Sequence, residues 1–137
     1  MSHVPQDEDY AALAEFRFAM RKFLRFSKDE LQKHRRLTPE QYEALLALRA
    51  GGAEPGLNIG QLSERLQVKH HTAVSLVAKL VLRGDVGRFS NDSDRRQVHL
   101  KLTSQGTRLL EEAAIIHRHE LRKRSGEMIA ALRRLQK

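Results

Sequence analysis

Two short stretches hold the side chains best suited to chemistry: Lys69, His70, His71 and Thr72 with Ser75 and Lys79 close behind, and the tract from Arg88 to Arg96, which ends in Asp94, Arg95 and Arg96. Both are dense in cationic and hydroxyl donors. Neither brings a nucleophile together with a paired acid and base, and no Gly-rich phosphate loop is present, so covalent or acid–base catalysis is not expected. Adjacent helical residues point apart, which argues against a metal at His70 and His71, and the two-residue spacing of His117 and His119 argues the same there. No metal or cofactor is therefore expected. What these residues can do is donate hydrogen bonds and positive charge to phosphates and base edges.

The elements that must carry them can be read from periodicity. From Glu8 to about His34, Leu13, Phe16, Met20, Phe23, Leu24 and Leu31 recur at three- and four-residue intervals, an amphipathic helix holding four of the five Phe residues. A second helix starts at Thr38-Pro39, where Thr38 and Gln41 suit a capping box and Leu37 can staple against Tyr42. It stops at Gly51 and Gly52, before a loop over 51–56. Asn58, with Gln61, caps a short third helix in which Ile59, Leu62 and Leu66 face inward. A turn over Gln67 to Lys69 leads into a helix from about His70 to Arg83, closed by Gly84.

At 100° per residue, Leu76, Val77, Leu80 and Gly84 fall within about 60° of Ala73 and form a buried stripe. His71, Ser75 and Ala78 lie opposite, flanked by Thr72, Val74 and Lys79. Val86 to Ser90 and Gln97 to Leu102 then alternate like the strands of a hairpin, with turn residues between them. Thr103 caps a long helix through Leu109, Leu110, Ala113 and Ile116, and Met128, Ile129, Leu132 and Leu135 mark a terminal helix beyond the basic run Arg122 to Arg124, itself expected to be a solvated face. The fold class is mainly α with a small β-hairpin wing: a helix-turn-helix followed by a hairpin, a winged helix whose helix fits the major groove of DNA.

Charge supports a polyanionic partner. The 137 residues carry a net +8, and residues 65–101, the segment with the candidate residues, carry eight basic against three acidic groups. With no cysteine, thiol redox chemistry and thiolate metal sites are excluded. No stretch is apolar for long enough to span a bilayer, and residues 1–9 lack the pattern of a signal peptide, so no membrane partner and a cytoplasmic location are expected.

The order of these elements resembles the MarR family of winged helix-turn-helix transcriptional regulators. The resemblance rests on Leu37, Thr38 and Gln41 opening the second helix; Leu62, Leu66 and Val68 in the helix-turn-helix; Leu80 and Gly84; Arg88, Asp94 and Arg96 in the wing; and Leu102, Thr103 and Gly106 after it. It covers roughly residues 10–120. It implies a single domain over 1–137, a lobe at 37–103 and dimerisation helices at 8–36 and 104–137. It further implies a homodimer on a pseudo-palindromic operator of double-stranded DNA, acting as a repressor that a small aromatic or phenolic effector releases.

On that resemblance His71, Thr72, Ser75 and Lys79 face the major groove, and Lys69 and His70 meet phosphates or base edges at the helix start. Val74 is placed to meet a thymine methyl. Arg88 belongs to the wing, Asp94 braces it, and Arg95 or Arg96 enters the minor groove. Phe16, Phe23, His34 and Tyr42 are placed to line an effector pocket. Two departures stand out: Asp85 occupies a position usually apolar in the family, needing a partner such as Arg83 or Arg88 if buried, and Lys69 replaces a capping residue. A nonspecific architectural DNA-binding protein is the alternative function.

Overall fold

The computed structural model describes residues 3–91 and 94–137, with the side chains of Asn91, Asp94 and Arg95 outside that description. Five helices and one hairpin follow in the order α1 (Asp7–Arg35), α2 (Pro39–Ala50), α3 (Ile59–Leu66), α4 (His70–Arg83), β1 (Val86–Asn91), β2 (Asp94–Leu102) and α5 (Ser104–Leu135).

Helix starts follow the local chemistry. The Thr38 hydroxyl accepts from the Gln41 amide at 3.1 Å while the Thr38 amide donates to Gln41 Oε1 at 3.0 Å. Asn58 and Gln61 repeat this reciprocal pair at 2.8 and 2.9 Å, satisfying donors the first helical turn leaves open. The turn between α3 and α4 closes through Gln67 in the left-handed region, φ 54°, and the Val68 amide donates back to the Ser63 carbonyl at 3.1 Å. Gly84 ends α4 at φ 87°, a conformation open to glycine at no steric cost.

The lobe core joins Leu45 and Leu48 of α2, Leu62 of α3, Val77 and Leu80 of α4, and Val86 and Leu100 at the wing base. Leu31 of α1, Leu37 ahead of α2, and Leu110 and Ala113 of α5 complete it, so one apolar cluster spans the lobe and the long helices. The hairpin is antiparallel, pairing Val86 with Leu102 and Arg88 with Leu100, and Leu57 adds an isolated bridge to Leu100.

Helices α1 and α5 pack along most of their length. The ion pairs Lys22–Glu127 at 2.9 Å and Arg35–Glu112 at 3.1 Å, with Glu15–Arg134 further out, show that the two run antiparallel. Met128, Ile129, Leu132 and Leu135 do not form a separate terminal helix beyond the basic run; α5 continues unbroken to Leu135. Gly126 is the sole residue in that stretch disfavouring helix, at a cost of about 1 kcal/mol that its long neighbours absorb. No helix among the described residues is long and apolar enough to cross a membrane.

Candidate nucleic-acid interface

Helix α4 divides as its periodicity requires. Ala73, Val77 and Leu80 are fully buried, while His70, His71, Thr72, Val74, Ser75, Ala78 and Lys79 are exposed. It carries no acidic residue. Lys69 stands at the N-cap with extended backbone and makes no side-chain cap, so the first-turn N–H groups and the Lys69 ammonium together favour an anion at this end. Arg88 of β1 and Arg96 of β2 are exposed on the hairpin that follows. The side chains of Asp94 and Arg95 lie outside the described residues.

A groove of about 410 Å³ runs beside α4, with His71, Thr72, Ser75 and Lys79 on one wall and Thr38, Glu40, Gln41 and Glu43 of the α2 start on the other. Two carboxylates on the far wall repel phosphate, so a polyanion is favoured on the α4 and wing side.

Asp85 is wholly buried. Arg83 Nε donates to its Oδ2 at 2.7 Å and Gln105 Nε2 to its Oδ1 at 2.9 Å. The carboxylate in a usually apolar place is thus paired by Arg83, the first of the two partners expected, and by a glutamine that sequence alone does not single out. Its backbone carbonyl accepts from the Thr103 amide at 3.1 Å and lies against Gly106, where a Cβ would come within 2.0 Å of it.

A second cavity, of about 620 Å³, opens between α1, α2 and α5. Phe23, Leu24 and Ser27 come from α1, Pro39, Tyr42 and Leu46 from α2, and His117, Arg118, Leu121 and Arg122 from α5. Of Phe16, Phe23, His34 and Tyr42, the cavity is lined by Phe23 and Tyr42. Phe16 and His34 do not line it: Phe16 lies nearly two turns ahead of Phe23, and the His34 side chain is 63% exposed, 3.7 Å from Glu30. Their helical phase is right, but cavity walls are set by where α2 and α5 cross α1.

The ring that sequence reasoning missed is His117. It stacks on Tyr42 at 4.5 Å between centroids and meets Phe23 and Phe26 edge-on at 6.2 and 6.1 Å. Its Nδ1 lies 2.8 Å from the Ala113 carbonyl and so donates to it, which in the neutral ring leaves Nε2 to accept from the Ser27 hydroxyl, also at 2.8 Å. The signal was present: Leu110, Ala113 and His117 follow helical spacing on the buried stripe of α5. Burial of the Tyr42 phenol raises its pKa above the usual 10, so it stays a neutral donor across the physiological range.

The core, the helix-turn-helix and the exposed hairpin define a winged helix-turn-helix protein. Residues 37–97 match the sequence profile of the MarR family, from the start of α2 into β2. Over this segment the chain is similar to the MarR family.

Its fold is that of solved transcription regulators. MepR from Staphylococcus aureus, described as a transcription regulator of the multidrug efflux pump MepA, superposes with a TM-score of 0.74 at 21% identity, over 88% of this chain and 93% of that one. AbsC from Streptomyces coelicolor, a MarR family transcriptional regulator, gives 0.74 at 20% identity, over 90% and 82%. A complex of S. aureus MepR with DNA gives 0.67 at 22% identity, over 88% and 93%. Comparison with curated protein sequences finds no significant match.

Proposed function

We propose that this chain is a sequence-specific regulator that binds operator DNA as a homodimer. The observation that carries the reading is the acid-free, exposed face of α4, set beside a hairpin bearing Arg88 and Arg96. His71, Thr72, Ser75 and Lys79 read the major groove, with Val74 against a thymine methyl, while Lys69 and His70 hold phosphates at the helix start. Asp94 braces the wing, and Arg95 or Arg96 enters the minor groove, where narrow A·T-rich sequence deepens the negative potential.

The 37–103 lobe reads DNA in this proposal, and the helices over 8–36 and 104–137 join two copies. Phe18, Leu24, Ile115 and Ile129 support that division, since these large apolar residues of α1 and α5 are about half exposed in the single chain. Pairing the chains holds the two reading helices roughly 34 Å apart, one turn of DNA. The neighbouring MepR, solved with DNA, supports the same docking. A small aromatic effector entering between Tyr42, His117 and Phe23 shifts α1 and α5 relative to the lobe and releases the operator, making the protein a repressor.

Competition binding tests the reading against nonspecific architectural binding. A regulator prefers one palindromic site over random duplex by about a thousandfold or more at physiological salt. Equal affinity for both would refute it.

A further inference from the structure

Helix α4 packs on α2, α3 and β1, but has no comparably broad contact with α1 or α5. Among the described residues, a polar node around Asp85 ties it to the long helices. Arg83, in the last turn of α4, donates from Nε to Asp85 and from Nη1 to the Arg36 carbonyl at 2.6 Å, where Arg36 is the left-handed cap that ends α1. From the other side Gln105, in the first turn of α5, donates to both the Asp85 carboxylate and the Arg83 carbonyl, each at 2.9 Å. The Thr103 hydroxyl donates to the Gly84 carbonyl at 2.6 Å. One buried carboxylate thereby gathers the end of α4, the end of α1 and the start of α5.

We infer that Arg83 and Asp85 are positioning residues that set the angle at which the reading helix is carried on α1 and α5, and through it the half-site spacing the dimer accepts. This rests on the proposed function above. The physical reason is directionality. An apolar residue at position 85 would fill space and tolerate small rotations, whereas an ion pair with fixed hydrogen-bond angles on three elements does not. Such a pair adds little net stability, because desolvation offsets most of its attraction, and its effect is on geometry.

The test uses Arg83→Met, which keeps the apolar stem of a side chain that already touches solvent, and Asp85→Asn, which keeps the shape of the carboxylate. In the first measurement, wild type and variants bind duplexes whose half-sites stand at the preferred separation or one base pair nearer or farther. Wild type loses about tenfold or more on each shift, whereas the variants lose about threefold or less while holding a single half-site within about twofold of wild type.

The second measurement needs no DNA. The chain has no native cysteine, so Ala78→Cys on the exposed face of α4 takes one spin label per chain. The label-to-label distance distribution in the dimer is narrow with Arg83 and at least about twice as wide in Arg83→Met, since the directional bonds that hold α4 are gone. Equal widths with an unchanged spacing profile in both variants would overturn the inference. Failure of the underlying reading shows separately, in wild-type protein that lacks a preferred site or a second label at dimer range.

Discussion

Replacing Gly106 with Ala sets two physical effects against each other with opposite signs. Helix propensity favours the change by about 1 kcal/mol, because alanine restricts the unfolded chain and suits a helix interior. Packing opposes it. The new Cβ would sit 2.0 Å from the Asp85 carbonyl oxygen and 2.9 Å from its carbonyl carbon, against an ordinary C···O contact of about 3.3 Å. The α5 start must therefore retreat from Asp85 by more than an ångström, and the 3.1 Å bond from the Thr103 amide to that carbonyl is broken.

Overpacking costs about 1–3 kcal/mol and the lost hydrogen bond about 1 more, so after the propensity gain the net loss is about 1–3 kcal/mol. For a domain of this size that lowers Tm by roughly 3–15 °C. Thermal unfolding followed by circular dichroism at fixed protein concentration reads it. Gly126→Ala in the same helix is the control: nothing lies within 4 Å of its added Cβ, and the expected result is a gain of about 0.5–1 kcal/mol. Melting of Gly106→Ala at or above wild type would refute the steric reasoning.

Arg96→Ala is expected to weaken operator affinity by about 1–3 kcal/mol, read by fluorescence anisotropy, and unchanged affinity would move the minor-groove role to Arg95. Log affinity should fall steeply with log salt, as about 6–10 neutralised phosphates require, and a shallow slope would argue against the docking described. Leu24→Glu places a charge on the exposed apolar face of α1 and should shift the dimer to monomer in analytical ultracentrifugation; an intact dimer would exclude that face from the interface. Phenolic acids should raise the Tm of wild type, and Tyr42→Ala should abolish the shift by removing the ring on which His117 stacks; an equal shift in that variant would place the ligand elsewhere.

The local devices are legible in the amino-acid sequence. Both capping boxes pair residues three apart, so Thr38 with Gln41 and Asn58 with Gln61 could be read from spacing. The two faces of α4 follow from 100° per residue, and the exposed residues with them. The unbroken α5 was not legible, because a basic run and a glycine carry no stop signal strong enough to tell a boundary from an exposed face. His117 was in phase with the buried stripe, yet a polar residue there declares itself only through its partner, Ser27, ninety positions earlier.

Sequence alone determined where α2, α3 and α4 start and which side of α4 is exposed, since each of these depends on residues within a turn or two of one another. Tertiary structure decided what neutralises Asp85, which rings close the cavity, and how α4 is tied to α1 and α5. Those outcomes depend on contacts such as Arg83 with the Arg36 carbonyl, between residues 47 apart in the chain, and on how helices cross rather than how they start.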